Sequence, residues 1–111
     1  MKVKKLYQQG DVLVELVEKT EGLELKKKAK NLVLAEGEVT GHKHLLTLEE
    51  DEINYDVLEG QIVFTISKDA TITHEEHHAI VLPPTRENEI YRVRRVREYD
   101  HFAEEAREVR D

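Results

Sequence analysis

The chain has 111 residues, 37% of them charged, with a formal net charge of −7 and neither cysteine nor tryptophan. That length accommodates one domain, 1–111, and the acidic balance disfavours nonspecific binding to nucleic acid or to an anionic membrane. Without cysteine, a disulfide framework and a thiolate zinc site are both excluded, so any metal must use histidine nitrogen and carboxylate oxygen.

No apolar run approaches the ~20 residues of a membrane span. The start, Met1-Lys2-Val3-Lys4-Lys5, lacks an apolar signal core. A soluble, cytoplasmic protein is expected, and abundant Lys, Glu and Arg without Cys matches a thermophile's composition.

In chain order, 11–18 is rich in Val and Leu and reads as a largely buried strand. Thr20-Glu21-Gly22 is a turn, and 26–30 is a basic, solvated loop or frayed helical turn. A second strand covers 31–39, broken near Gly37, and Thr40-Gly41 turns the chain into 42–48. There His42, His44, Leu46 and Leu48 share one face, because strand side chains alternate with period two. After the acidic loop 49–52, strands 53–58 and 61–67 flank Glu59-Gly60, which can close a tight hairpin. Lys68-Asp69 is a short turn before 70–73, and 77–82 alternates again until Pro83-Pro84 ends it. Residues 89–99 form a long strand whose arginines, Arg92, Arg94, Arg95 and Arg97, fall on both faces. Asp100 is positioned to cap a short helix running to about Val109. Short strands at regular spacing predict an all-β fold, a small barrel or β-sandwich with a short C-terminal helix.

Five of the six histidines fall in two clusters, Gly41-His42-Lys43-His44 and His74-Glu75-Glu76-His77-His78. On a strand, His42 and His44 would set their rings about 6–7 Å apart on one face, which suits a shared metal. The alternative is a pair of surface histidines beside a turn. The second cluster also satisfies the zinc-protease pattern His-Glu-x-x-His, which requires a helix. Thr71, Ile72, Thr73, Ile80 and Val81 are β-branched and Pro83-Pro84 follows, so a helix is not expected there. A strand end contributing ligands is the better reading, with a plain polar loop beside it. His74 and His78 have the better phase, and His77 faces the other way unless a bulge or turn intervenes.

The order of Gly37, His42-Lys43-His44 and Glu49 resembles the first motif of the cupin superfamily. Tyr55-Asp56-Val57-Leu58-Glu59-Gly60 is similar to the turn that follows that motif, and Ile80-Val81-Leu82-Pro83-Pro84 to the proline-bearing strand of the second. Nearly the whole chain is also similar to small prokaryotic proteins of no assigned activity. The cupin resemblance implies a double-stranded barrel holding a divalent metal through two histidines, a glutamate and a later histidine. On this chain these are His42, His44 and Glu49, with Glu52 the alternative carboxylate. The later histidine would come from His74, His77 or His78, which precede the proline strand instead of following it.

The leading expectation is a divalent-metal protein (zinc, iron, manganese or nickel) acting on an unidentified small-molecule ligand, with Glu75 and Glu76 as candidate proton carriers. A homodimer is expected from the long, partly apolar C-terminal strand. Two other classes stand beside it. One is a metal-free protein-interaction module. The other is a phosphate- or RNA-binding module using the strand from Arg92 to Arg97, against which the excess of Glu and Asp favours pairing of the arginines within the protein.

Overall fold

A computed structural model describes residues 3–36 and 41–96. Among them the chain forms ten strands: β1 (Val3–Gln9), β2 (Val12–Glu18), β3 (Lys27–Ala29), β4 (Asn31–Glu36), β5 (Lys43–Thr47), β6 (Ile53–Leu58), β7 (Gln61–Thr65), β8 (Ala70–Thr73), β9 (Ile80–Leu82) and β10 (Glu89–Arg95). They pair antiparallel into two sheets, ordered β1-β2-β10-β7-β6-β3 and β4-β5-β8-β9. The predicted all-β class is what folds. The predicted helix after Asp100 lies outside the described residues, as do Gly37, Arg97, Tyr99 and His101.

One apolar face of each sheet buries against the other, the arrangement of a sandwich. Val12, Val14, Phe64, Tyr91 and Val93 from the larger sheet meet Leu32, Leu34, Leu46, Ile72 and Leu82 from the smaller. The rings of Phe64 and Tyr91 stack with centroids 5.1 Å apart. Burial raises the Tyr91 phenol above its ordinary pKa, and its hydroxyl donates to the Pro83 carbonyl at 2.7 Å. A buried hydroxyl without such an acceptor would be costly.

Turn chemistry fixes two hairpins. Glu59 and Gly60 have φ of 52° and 79°, and Leu58 pairs with Gln61. Two central residues at positive φ make a type I′ turn, whose twist matches its strands, as the sequence predicts. The hairpin of β1 and β2 turns at Gly10-Asp11, between the paired Gln9 and Val12. Gly10 has φ +58°, the first-position value of a type II′ turn, where glycine avoids the Cβ penalty.

Two strands are absent from the sequence reading, and the strand read over 77–82 is confined to β9. β1 was not signalled, because Val3, Lys4, Lys5 and Leu6 are all exposed and no alternation marks them. Pairing with β2 holds this half in place, while Tyr7 and Gln9 at the other end pack inward. Residues 27–29 form β3, not a loop or helical turn, by pairing Lys27 with Tyr55 and Ala29 with Ile53. Lysines suit a sheet edge, since their charge discourages further strand addition.

Among the described residues the arginines of β10 pair within the chain, as the acidic composition favours. Glu15 accepts from Arg92 Nε at 3.0 Å and Nη2 at 2.7 Å and lies 3.4 Å from Arg94 Nε. Arg95 donates to Asp11 at 2.8 Å. Glu15 is buried, so removing it takes away a carboxylate that Arg92 and Arg94 share. Glu15→Ala is expected to lower unfolding free energy by about 1–3 kcal/mol. Urea denaturation checks this, and an unchanged midpoint would refute the structural role. No helix among the described residues is long and apolar enough to cross a membrane.

Candidate functional site

The two histidine segments meet because the register of β5 and β8 carries on past the ladder's end. Leu45 pairs with Thr73, Leu46 with Ile72 and Thr47 with Thr71. Extending that antiparallel register sets residue 44 opposite 74, 43 opposite 75 and 42 opposite 76. Side chains realise all three pairs. The His44 and His74 rings lie 4.2 Å apart between centroids. The Glu75 carboxylate accepts from Lys43 N–H at 3.1 and 3.2 Å, and His42 Nδ1 is 2.6 Å from Glu76 Oε1.

Around this pairing His42, His44, His74 and His77 form one ring cluster. The His42 ring meets His74 edge-on at 5.6 Å, and His77 lies 4.8 Å from His74 and 6.2 Å from His44. His42 precedes β5 instead of belonging to it, so strand alternation applies to His44, Leu46 and Leu48, which are buried, while His42 is half-buried. Residues 74–79 belong to no strand. Period-two phase therefore does not govern them, and His77 joins the cluster, whereas the exposed His78 meets the site through its main-chain carbonyl.

The β1–β2 hairpin tip, which sequence reading did not implicate, closes the cluster from the other sheet. Gln9 is 1% exposed. Its Nε2 donates to the carbonyls of Ile72 at 3.1 Å and His78 at 2.8 Å. Carbonyls only accept, so the amide orientation is settled and Gln9 Oε1 is the atom facing His44 Nδ1 at 2.8 Å. His44 Nδ1 must then carry the proton, and the neutral ring presents its lone pair at Nε2. That lone pair faces Asp11 Oδ1 at 3.5 Å, while Asp11 Oδ2 holds Arg95.

The charge states follow from these surroundings. Burial, together with the charges of His74 and His77, lowers the His44 pKa to about 4 against the opposing pull of Asp11. Burial of Asp11 opposes its ionisation, but the Arg95 hydrogen bond and charge hold the carboxyl below its usual value. Near neutral pH an unprotonated nitrogen and a carboxylate oxygen therefore confront one another, two acceptors with no proton between them. Glu75, held by the Lys43 N–H, also titrates below its usual value.

His74 is engaged differently. Its Nδ1 accepts from Glu76 N–H at 3.0 Å, so in the neutral ring the proton sits on Nε2. His42 Nδ1 faces a carboxylate and so carries a proton, as Nδ1 of His44 does, and such carboxylate–histidine pairs orient metal-ligating imidazoles. As placed, no three His, Asp or Glu side chains among the described residues surround one common ion position. Glu49 lies beyond the far end of β5, exposed, with Thr47 and Thr71 around the same concavity. Five residues of extended chain from His44 span roughly 16 Å. Glu52 is likewise exposed in the loop ahead of β6.

Gly10 lies against the His77 ring, since a Cβ built there would stand 2.6 Å from His77 Nε2. Gly10→Ala therefore strains the backbone and displaces an imidazole. A loss of about 1–2 kcal/mol is expected from the left-handed backbone alone, with shifted His77 ring resonances. Thermal unfolding and NMR check this, and wild-type values for both would contradict it.

The model of a domain of unknown function, DUF8820, matches residues 8–96, which include both histidine segments and the Gln9-Gly10-Asp11 tip. No curated protein and no solved structure matches the chain. By the extent of the family match, the chain belongs to the DUF8820 family.

Proposed function

We propose that this protein binds a divalent transition-metal ion at the histidine cluster, with His44 Nε2 and Asp11 Oδ1 as its first two ligands. The observation that carries this reading is their opposition at 3.5 Å, in a ring whose other nitrogen is committed to Gln9. A cation between two facing acceptors turns a repulsive contact into two bonds. His77 and His42 are the next donors, brought in by side-chain rotation. His74 joins only by giving up its bond from Glu76 N–H.

The donor set favours zinc, nickel or iron over manganese, since imidazole suits the first three and manganese prefers oxygen. Asp11 takes the carboxylate place that a cupin-like arrangement would give to Glu49. Glu76 orients His42, and Glu75 ties the two segments together, so on this reading both support the site without carrying protons.

The test is metal analysis of tag-free protein, stripped with chelator and reloaded with Zn²⁺ or Ni²⁺. One ion per chain is expected, with stability rising by about 2.7 kcal/mol at a free metal concentration a hundredfold above Kd. The double variant His42→Ala/His44→Ala should lose both effects. Substoichiometric metal in the wild type, with no stability change on chelation, would sink the reading and leave the metal-free interaction module.

A further inference from the structure

We infer that Gln9 is a positioning residue that selects the metal-binding tautomer of His44, an assignment that deepens the metal reading and rests on it for its functional consequence. A neutral imidazole places its proton on either nitrogen, and which one is set by the partner it finds. Were Asp11 its only strong partner, His44 would put the proton on Nε2 and donate to the carboxylate, closing the metal position with a hydrogen bond. Gln9 prevents this from the opposite side of the ring. Its Oε1 accepts at 2.8 Å, shorter than the 3.5 Å to Asp11, so the proton goes to Nδ1 and the lone pair to Nε2.

The arrangement works only because Gln9 itself has no choice of orientation. An amide free to flip would offer His44 its NH₂ group and reverse the selection. The carbonyls of Ile72 and His78 hold that NH₂ group, and they come from the end of β8 and from the segment between β8 and β9. Gln9 thus connects the hairpin tip of one sheet to the second histidine segment on the other. His78 serves the site through its carbonyl, with its ring turned to solvent. The tip is further secured by Gln8 Nε2 donating to the Gly10 carbonyl at 2.9 Å and by Val96 N–H donating to the Asp11 carbonyl at 2.7 Å.

The deciding measurement is the tautomer of His44 in the metal-free wild-type protein near pH 7, read from the ¹⁵N shifts and long-range ¹⁵N–¹H couplings of its ring. A protonated Nδ1 with an unprotonated Nε2 is expected; the reverse pattern overturns the inference outright and requires no variant. In Gln9→Met the acceptor is gone, and the His44 proton should move to Nε2 with a 10- to 100-fold weaker affinity for Zn²⁺, the loss typical of an outer partner of a metal-bound histidine. A folded Gln9→Met protein that keeps the wild-type tautomer also overturns the inference. If the wild type shows the Nδ1–H ring yet takes up no metal, the tautomer assignment stands and the metal reading alone fails.

Discussion

Asp11→Asn is expected to weaken binding of Zn²⁺ by a factor on the order of 100 or more while leaving the metal-free protein as stable as the wild type. The first half follows because the substitution replaces an anionic oxygen ligand by a neutral amide, and hard carboxylate donors contribute charge as well as a bond. The second half follows from the geometry of the empty contact. Asn can turn its NH₂ group toward His44 Nε2 and supply the donor missing between two acceptors 3.5 Å apart. That gain offsets loss of the Asp11–Arg95 pair, whose side chains are each a little under half exposed. Exposed pairs of this kind contribute about 0–1 kcal/mol. Affinity falls without a loss of stability only if Asp11 is held facing His44 for a ligand. Calorimetric titration with Zn²⁺ beside urea denaturation in chelator gives both numbers. Equal losses of affinity and stability would mark Asp11 as structural, and unchanged affinity would remove it from the site.

A second large effect is expected from acid, measured in chelator. His44 ionises at about 4 in the folded protein against an ordinary value of 6.5. Between these values the unfolded chain binds a proton that the folded chain refuses, so stability rises with pH through this window. The His44 contribution is therefore complete above the unfolded value and declines as pH falls from 6.5 to about 4. Below that the loss levels off at roughly 3 kcal/mol for this group. The His44→Gln variant should show a flatter profile over the same window, whatever its absolute stability. If wild type and variant descend in parallel, burial does not hold His44 neutral. Asp11, whose carboxyl is held below its ordinary value against the opposing effect of burial by Arg95, adds a loss of its own as pH falls through its lowered pKa.

Much of the site's composition is legible along the chain, but not its assembly. The two histidine segments stand out as local clusters, and His44, with Leu46 and Leu48 behind it, follows from strand alternation. The same rule misplaces His77 and His78, because the stretch between β8 and β9 is irregular and period two has no hold there. Glu49 was favoured by its spacing along a motif, whereas in three dimensions the far end of an extended strand is remote from its start. Gln9 and Asp11 gave no signal. A glutamine beside a turn and an aspartate within one are ordinary residues until the opposite sheet brings a histidine within reach.

The fold divides along the same line. Composition and alternation determine an all-β chain without thiolate chemistry, and Glu59-Gly60 determines a two-residue hairpin, because these depend on residues near one another in sequence. Strand β1 and the lysine-bearing β3 escape local pattern because pairing with a neighbouring strand, and not a run of alternating apolar side chains, marks them as strands. Tertiary structure alone decides what becomes of the histidines. The β5–β8 register aligns the two segments, and the β1–β2 tip adds the amide and carboxylate that set one ring's proton and face its lone pair. Sequence supplied the donors as types, and packing of one sheet against the other decided which nitrogen of His44 is turned toward Asp11.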